Sequence, residues 1–252
     1  MKIARFSHDG AINYGIVDDD ALVVLDGDPM YTGFNPTGER VPLSDATLLA
    51  PVIPRSKVVA VGKNYHDHAR EMGGEAPEEP LLFLKPNTAV IGPNDRIVLP
   101  EISDRVEHEG ELAVIIGAIA RNVAAEDAGT VIFGYTAAND VTARDLQQRD
   151  GQWTRGKGFD TFCPLGPLVD TEFVPTTGSI ETRVNGEVRQ HAPLSDMIHS
   201  VGAIIAHASA VFTLLPGDVI LTGTPSGVGP LETGDVVDVE IDGLGTLSNP
   251  VV

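Results

Sequence analysis

The stretch Val106-Glu107-His108-Glu109-Gly110-Glu111-Leu112-Ala113-Val114-Ile115-Ile116-Gly117 guides the interpretation of the whole chain. Its second half is a β-branched apolar run, which predicts a buried strand. Its first half carries a carboxylate at every second position, and alternate side chains of an extended chain share a face. Glu107, Glu109 and Glu111 would therefore point in the same direction.

This stretch alone supports two interpretations of these carboxylates equally. Like charges held so close together repel one another, and a divalent cation would relieve the repulsion. Mg²⁺ and Mn²⁺ prefer oxygen ligands of this kind. The alternative is an exposed acidic edge strand, which needs no metal.

Composition limits the class of protein. The 252 residues are enough for one large domain, or for a large domain with a smaller one. The formal net charge of −19 argues against nucleic acids and anionic membranes as partners. Cys163 is the only cysteine, so no internal disulfide can form and we expect a cytoplasmic protein. No apolar run approaches the length of a membrane span, and the N-terminus lacks a signal-peptide pattern.

Strand candidates at residues 1–6, 13–17 and 21–25 predict a small β meander at the N-terminus. Five prolines with few apolar runs between them follow, from Pro29 to Pro54, and predict a linker. We therefore place a small N-terminal β domain at residues 1–50 and the main domain at residues 51–252.

A strand over residues 57–62 precedes a predicted short helix over 63–74, which ends in a glycine pair. His68 and Glu71 are three positions apart and would be neighbours on this helix. A carboxylate beside an imidazole fixes its tautomer and raises its basicity, as a general base requires. A surface ion pair would give the same spacing. The helix and the loose acidic segment after it also have the character of a lid.

Several further elements follow from periodicity. Strands are predicted over 81–86, 97–99, 134–142 and 236–241, a hairpin over 183–188, and a strand running into a glycine-rich loop over 218–229. Helices are predicted over 124–132, over 143–149 and within 194–215. Ser195 or Asp196 can cap the last helix. Residues 153–160 are interpreted as a glycine-flanked loop with two cations.

Asp140 lies alone in a predicted strand of small residues, where a carboxylate costs free energy unless it is paired or bound to a cation. Nothing in the sequence distinguishes the next two charged residues, Arg144 and Asp145, from solvated surface charges.

These segments together resemble the fumarylacetoacetate hydrolase family over about residues 51–252. The matching motifs, in the family's order, are residues 61–65 with His68 and Glu71, then 83–86, 109–113, 139–145, 157–159, 217–225 and 227–229. The resemblance implies an α+β, β-rich fold, described as a mixed β-roll with a barrel-like core, after a small N-terminal β domain. It also implies a homodimer.

The resemblance assigns site residues position by position. It implies Mg²⁺ (or Mn²⁺) held by Glu109, Glu111 and Asp140, so that Glu107 is not a ligand. The implied catalytic residues are His68, Glu71 and Lys157, and the implied substrate-binding residues are Lys85, Gln147 and Thr224.

The implied activity is that of an enzyme acting on a small anionic 2-oxo or 2,4-dioxo acid, chelated by the metal, through an enolate. Since the His–Glu pair is intact, we expect C–C bond hydrolysis or decarboxylation. One alternative is isomerisation of 2-hydroxyhepta-2,4-diene-1,7-dioate in the catabolism of homoprotocatechuate, an aromatic compound. Another is a metal-dependent diacid-binding protein without turnover, which would have no use for His68, Glu71 and Lys157.

Overall fold

The computed structural model describes all 252 residues and contains 19 β-strands, five short α-helices and four 3₁₀ segments. The strands of the first fifty residues are β1 Lys2–His8, β2 Ala11–Asp18, β3 Ala21–Leu25, β4 Pro36–Pro42 and β5 Thr47–Leu48. The middle strands are β6 Val58–Gly62, β7 Leu81–Lys85, β8 Val90–Ile91, β9 Val106–His108, β10 Gly110–Ile116, β11 Ile132–Asn139, β12 Thr142–Ala143 and β13 Cys163–Asp170. The last strands are β14 Ser179–Val184, β15 Glu187–Pro193, β16 Val219–Leu221, β17 Gly229–Pro230, β18 Val236–Ile241 and β19 Gly245–Pro250.

The helices are short and lie between these strands. They are α1 Pro29–Thr32, α2 His66–Glu71, α3 Arg144–Asp150, α4 Thr154–Lys157 and α5 Val201–Val211. The 3₁₀ segments are Leu43–Asp45, Asn87–Ala89, Ala125–Val131 and Leu194–Asp196. No helix is both long enough and apolar enough to cross a membrane.

Three sheets account for the strands. The large mixed sheet has the order β4-β3-β2-β1-β13-β11-β10-β16-β6-β7, with β5 paired to β1 and β8 to β13. A three-stranded sheet has the order β12-β9-β17, and a four-stranded sheet the order β15-β14-β18-β19. The fold is therefore the β-rich α+β class that the sequence predicts, but no closed barrel forms, since the end strands β4 and β7 of the large sheet do not pair with each other.

Strand β10 lies at the centre of the large sheet and is buried along its whole length. Leu112, Val114 and Ile116 pack in the largest apolar cluster, together with residues of α5 and of the four-stranded sheet. Ala113 and Ile115, which point to the opposite face, pack in a second cluster. Both faces are covered, which explains why this strand is a continuous apolar run and not an alternating one.

The N-terminal strands extend the large sheet, because Lys2 and Ile3 of β1 pair with Asp170 and Val169 of β13. They also have a small apolar cluster of their own, which contains Phe6 and Leu22. The division into domains at residue 50 stays a prediction. The predicted linker is wrong in part, because residues 36–42 form β4, which pairs with β3 and buries Val41 in that cluster.

Other predicted elements differ in extent. The helix expected within 194–215 is Val201–Val211, and its cap is Ser200 instead of Ser195 or Asp196. Its start is delayed because Ile198 N and His199 N donate to the backbone and side-chain oxygens of Asn64. The helix expected over 124–132 is a 3₁₀ segment, which ends where Val131 O accepts from Gly117 N. The expected strand over 97–99 is reduced to one bridge between Ile97 and Val251.

Two predicted elements are confirmed closely. The hairpin turn at Asn185-Gly186 joins β14 to β15, and both residues have positive φ, as a two-residue turn of this kind requires. The helix expected over 143–149 is α3, at Arg144–Asp150.

Gly110 gives a test of the central packing. A Cβ on Gly110 would lie 2.1 Å from Thr182 Oγ1 and 3.2 Å from Val239 Cγ1. We expect Gly110→Ala to lower the free energy of unfolding by about 1–3 kcal/mol, as overpacked cores do. Urea denaturation measures this change.

The Thr182 hydroxyl that the added methyl group would meet has no hydrogen-bond partner. Adding Thr182→Ala to Gly110→Ala should therefore restore part of the lost free energy of unfolding. Gly129→Ala is the matched control, because no atom lies within 4 Å of the added methyl group. Equal stability of the two single variants would contradict this description of the packing.

Candidate active site and metal centre

The chain passes from one sheet to another at Glu109. Strand β9 before it belongs to the three-stranded sheet, and β10 after it belongs to the large sheet. Glu109 N donates to Asn139 Oδ1 at 2.9 Å, and Asp140 N donates to Glu109 O at 2.8 Å. These bonds hold Glu109 next to Asp140, at the break between β11 and β12.

Three carboxylates meet at this break. One oxygen each from Glu109, Glu111 and Asp140 lies within 4.8 Å of the others. These residues are only 3%, 1% and 1% exposed, respectively. The exposed acidic edge strand, one of the two interpretations open from the sequence, is therefore wrong.

Glu107 is also buried but has a different environment. Its two oxygens accept from Arg105 Nε at 2.6 Å and from Arg144 Nε at 2.7 Å. The expectation that Glu107 points the same way as the other two glutamates fails, because the strand is interrupted at Glu109. Its absence from the carboxylate cluster agrees with the ligand set implied by the family resemblance.

Buried cations surround two of the three carboxylates. Lys157 Nζ donates to Glu109 Oε2 at 2.7 Å and to Asp140 Oδ2 at 2.5 Å. Lys85 Nζ donates to Asp140 Oδ1 at 2.6 Å, and Arg144 Nη2 donates to Glu109 Oε1. Lys157 lies at the end of α4, so the predicted loop over 153–160 contains one helical turn.

These contacts separate the pKa values of the two glutamates. Burial opposes ionisation of Glu109, but the positive charges of Lys157 and Arg144 outweigh it and hold its pKa below the usual value. The pKa of Glu111 is raised well above the usual value, first by burial and then by the negative charges of Asp140 and Glu109. Glu111 makes no ion pair, and its one hydrogen bond comes from Gly223 N at 2.6 Å.

The cluster fits a divalent cation. It is a set of hard oxygen donors, and Glu111 is a buried carboxylate without a positive partner. Burying an uncompensated carboxylate is costly, so a cation would supply the missing charge. Glu109, Glu111 and Asp140 are the residues that could hold it.

His68 and Glu71 lie on α2 as predicted. His68 Nδ1 is 3.2 Å from Glu71 Oε2, and the other oxygen of Glu71 accepts from Gly227 N at 3.1 Å. Because a carboxylate can only accept, we assign the proton to Nδ1, which leaves Nε2 free as an acceptor. His68 is only 4% exposed, so the alternative of a surface ion pair is wrong for this side chain.

One cavity of about 180 Å³ joins these groups. Seven of the nine predicted site residues line it: His68, Glu109, Glu111, Asp140, Gln147, Lys157 and Thr224. Glu71 is not part of the lining but is hydrogen-bonded to His68, which is. Lys85 is also outside the lining. Its ammonium donates to Asp140 Oδ1 and to Val141 O, and binding of substrate by Lys85 stays a prediction.

Thr224 is held by a glutamine that the sequence does not single out. Gln190 Oε1 accepts from Gly110 N at 3.0 Å, so its Nε2 must be the donor to Thr224 Oγ1 at 2.7 Å. Thr224 Oγ1 in turn donates to Gly110 O at 2.8 Å. The hydroxyl hydrogen is therefore used within the protein, whereas the backbone N–H of Thr224 has no partner in the protein.

Arg144 is the main site residue that the sequence analysis missed. It is 3% exposed, and it lines the cavity and bonds to Glu107, Glu109 and Gln147. The bond from Arg144 Nη1 to Gln147 Oε1, at 2.7 Å, leaves the Gln147 amide nitrogen free for a ligand. The available signal was the spacing of Arg144 and Gln147, which lie three apart on one helix. Arg144 also lies in the segment 139–145 that resembles the family.

Two family models match the chain. One, described as fumarylacetoacetate (FAA) hydrolase C-terminal, matches residues 57–252. The other, described as Rv2993c-like, N-terminal, matches residues 1–51.

The chain is 58% identical over 219 residues to the protein Rv2993c of Mycobacterium tuberculosis, which covers 86% of this chain and 82% of that protein. It is 47% identical over 223 residues to the oxaloacetate tautomerase YisK of Bacillus subtilis, with coverage of 83% and 74%. It is 46% identical over 221 residues to the mitochondrial oxaloacetate tautomerase fahd2 of Xenopus laevis, with coverage of 83% and 69%.

Solved structures agree with the fold along the whole chain. A 5-carboxymethyl-2-hydroxymuconate delta-isomerase from Mycobacterium smegmatis superposes with a TM-score of 0.94 at 49% identity, covering 100% of this chain and 99% of that one. A 2-hydroxyhepta-2,4-diene-1,7-dioate isomerase from Mycobacterium marinum gives 0.92 at 49% identity, covering 100% and 98%. A maleylpyruvate hydrolase from Sphingobium, solved with manganese(II) and pyruvate, gives 0.82 at 35% identity, covering 100% and 99%. The resemblance found in the sequence is thus confirmed, and the chain belongs to the fumarylacetoacetate hydrolase family.

Proposed function

We propose that this chain is an enzyme that depends on a divalent cation and interconverts the keto and enol forms of a small 2-oxo dicarboxylic acid of the oxaloacetate type. The observation that carries the proposal is the meeting of the carboxylate cluster and the His68–Glu71 pair at one cavity. At about 180 Å³ the cavity is smaller than the roughly 300–1,000 Å³ of pockets for drug-sized ligands. A small acid suits it.

The proposed metal is Mg²⁺ or Mn²⁺, held by Glu109, Glu111 and Asp140. When bound there, it would act as a Lewis acid toward the oxygens of a 2-oxo acid. Manganese(II) and pyruvate in the maleylpyruvate hydrolase support both the ion and the kind of ligand.

His68 is the proposed base. Its free Nε2 would take a proton from the carbon next to the keto group, while Glu71 holds the ring in the required tautomer. Lys157 would place its positive charge close to the oxygen that becomes negative. The free amide nitrogen of Gln147 and the unpaired N–H of Thr224 are donors for the carboxylate of the substrate.

The named relatives support proton transfer without bond cleavage. Two relatives at 46% and 47% identity are oxaloacetate tautomerases. In the isomerisation of a hydroxydienedioate, the activity named for the Mycobacterium marinum protein, a proton is likewise removed and returned at another atom.

C–C bond cleavage, which the sequence analysis favours, is the second candidate. A histidine supported by a carboxylate can also activate a water molecule for hydrolysis. The name of the Sphingobium maleylpyruvate hydrolase supports this reaction at 35% identity. Decarboxylation would need no activated water, because loss of CO₂ from oxaloacetate gives the same enolate. The homodimer and the cytoplasmic location stay predictions.

The test separates these reactions with a panel of substrates in Mg²⁺ or Mn²⁺, with and without chelator. Oxaloacetate is followed by the ultraviolet absorbance of its enol, by malate dehydrogenase for the keto form, and by lactate dehydrogenase for pyruvate. Acetylpyruvate and maleylpyruvate test hydrolysis, and a 2-hydroxydienedioate tests isomerisation. Chelator-sensitive loss of the enol without pyruvate supports tautomerisation, and pyruvate supports cleavage. No turnover of any substrate would overturn the proposal in favour of a diacid-binding protein.

His68→Ala is expected to lower turnover by roughly a hundredfold to ten-thousandfold, the usual contribution of a general base. Oxalate affinity, measured by calorimetry with the metal bound, should stay within about twofold because the carboxylate cluster is intact. His66→Ala on the same helix is the control, since His66 is exposed. Unchanged turnover in His68→Ala would show that His68 is not the general base.

The raised pKa means that Glu111 takes up a proton at a higher pH than an ordinary glutamate does, and a metal ion that needs the carboxylate must displace this proton. Metal binding is therefore expected to release protons. Affinity for Mn²⁺ therefore falls as the pH is lowered. Calorimetry in buffers with different ionisation enthalpies measures the number of protons released on binding.

Glu111→Gln should bind Mn²⁺ more weakly and release fewer protons, whereas Glu126→Gln, at an exposed position, should behave as the parent protein. Unchanged proton release in Glu111→Gln would show that another group titrates.

A further inference from the structure

Gln190 is fully buried and is not part of the cavity lining, but it is bonded to Thr224, which is. Its side-chain oxygen accepts from His108 Nδ1 and from Gly110 N. Its side-chain nitrogen donates to Thr224 Oγ1 and to Pro225 O. These four hydrogen bonds are all that a glutamine amide can make.

The partners fix the orientation of this amide. The backbone N–H of Gly110, 3.0 Å from Gln190 Oε1, can only donate, and the carbonyl oxygen of Pro225, 2.7 Å from Gln190 Nε2, can only accept. A reversed amide would place donor against donor and acceptor against acceptor. Because Gln190 Oε1 cannot donate, the proton in the 3.1 Å bond to His108 must lie on Nδ1 of that buried imidazole.

The nitrogen of the amide holds two consecutive residues of the loop after β16. Its bonds to Thr224 Oγ1 and Pro225 O are both 2.7 Å long. The Thr224 hydroxyl then donates to Gly110 O at 2.8 Å. The loop is thus fixed through its side-chain hydroxyl and a carbonyl group, and the backbone N–H of Thr224 is left for a ligand.

The oxygen of the same amide holds the strand that carries two members of the carboxylate cluster. Gly110 stands between Glu109 and Glu111, and its N–H is bonded to Gln190 Oε1. Its carbonyl oxygen is bonded to the Thr224 hydroxyl. A displacement of the Gln190 amide would therefore disturb the backbone between the two glutamates and the loop at Thr224 together.

The strand that carries Gln190 is irregular next to it. Gln190 of β15 pairs with Thr182 of β14. The next pair is Val188 with Arg183, so Arg189 is an extra residue and forms a β-bulge. Bulges redirect side chains and are frequent next to active sites. A buried hydrogen bond contributes little net stability over apolar groups of the same shape, so stability alone does not account for this amide.

We infer that Gln190 is a positioning residue of the site and that His108 fixes the orientation of its amide. Together they hold the Thr224 N–H at the distance from the carboxylate cluster at which one ligand can meet both. The inference rests on the proposed function, in which the metal and Thr224 bind the same substrate. Residues that hydrogen-bond to the groups in contact with a metal commonly set their geometry.

The test measures binding without turnover. Oxalate carries two adjacent carboxylates, so it resembles the 2-oxo acid end of a substrate, but it has no carbon-bound hydrogen to transfer. The full-length protein is titrated calorimetrically with oxalate at saturating Mn²⁺, and a separate Mn²⁺ titration of each variant defines saturation. We expect the parent protein to bind oxalate.

Gln190→Met keeps the approximate length of the side chain and removes all four hydrogen bonds. Its oxalate affinity should fall by roughly ten- to a hundredfold, the usual effect of losing a group that orients the ligands of a metal site. Gln190→Glu keeps the shape of the side chain, but a glutamate can donate at most one hydrogen bond where the amide donates two. Its oxalate affinity should therefore fall as well.

Two variants test His108. His108→Leu removes the donor to Gln190 Oε1, whereas the donor Gly110 N remains, so oxalate affinity should fall by only about two- to tenfold, the usual effect of a single hydrogen bond. His108→Asn places an amide N–H close to the position of Nδ1 and should restore most of the affinity. Equal losses in the two variants would overturn the role of His108.

Asn249→Leu is the matched control, because it removes a buried amide at a distance from the cavity. Asn249 Nδ2 donates to Gly92 O and to Asp95 O, both at 2.9 Å, and none of these residues lines the cavity. Thermal denaturation should show that this variant is destabilised, as Gln190→Met is. At a temperature at which every variant is folded, Asn249→Leu should bind oxalate as the parent protein does.

The outcomes separate this inference from the proposed function. If the parent protein binds oxalate and Gln190→Met binds it equally well, or Asn249→Leu loses as much affinity as Gln190→Met, the positioning role is overturned and the proposed function stands. If the parent protein does not bind oxalate with Mn²⁺ present, the proposed function fails and the positioning role fails with it.

Discussion

The burial of carboxylates against lysine and arginine is the constraint on which the rest of the site depends. Charged groups in a protein interior are tolerated only when opposite charges and hydrogen bonds surround them. Glu109 and Asp140 meet this condition through Lys157, Lys85 and Arg144. Glu111 does not, and because of this imbalance the cluster could hold a cation instead of being a closed ion-pair network.

The sheets supply the rigidity that holds these charges in place. Glu109 lies where the chain leaves the three-stranded sheet for the large one, and Asp140 lies where it returns. Gln190, from the four-stranded sheet, hydrogen-bonds to Gly110 and to Thr224. All three sheets therefore contribute to one small cavity, and none of them forms it alone.

Structural features that depend on neighbouring residues can be predicted from this sequence, whereas features that depend on residues far apart in the chain cannot. The apolar run of β10 and the spacing of His68 and Glu71 are local patterns, and both predictions hold in the structure. Glu107 was grouped with the metal ligands by strand alternation because the change of sheet at Glu109 leaves no local signal. Arg144 looked like a solvated charge because its burial depends on carboxylates far away along the chain. The family motifs corrected the first error but not the second.

The position of both members of the His68–Glu71 pair on the same short helix has a consequence for any motion of that helix. Any movement of α2 that widened the cavity would break the bond from Gly227 N to Glu71, but would leave the bond between Glu71 and His68 intact. The imidazole would therefore enter and leave the cavity already oriented and in one tautomer. No rearrangement within the pair would be needed, and an opening motion would break the contacts between the helix and the loop at Gly227 and expose the buried side chains of His68 and Ala69.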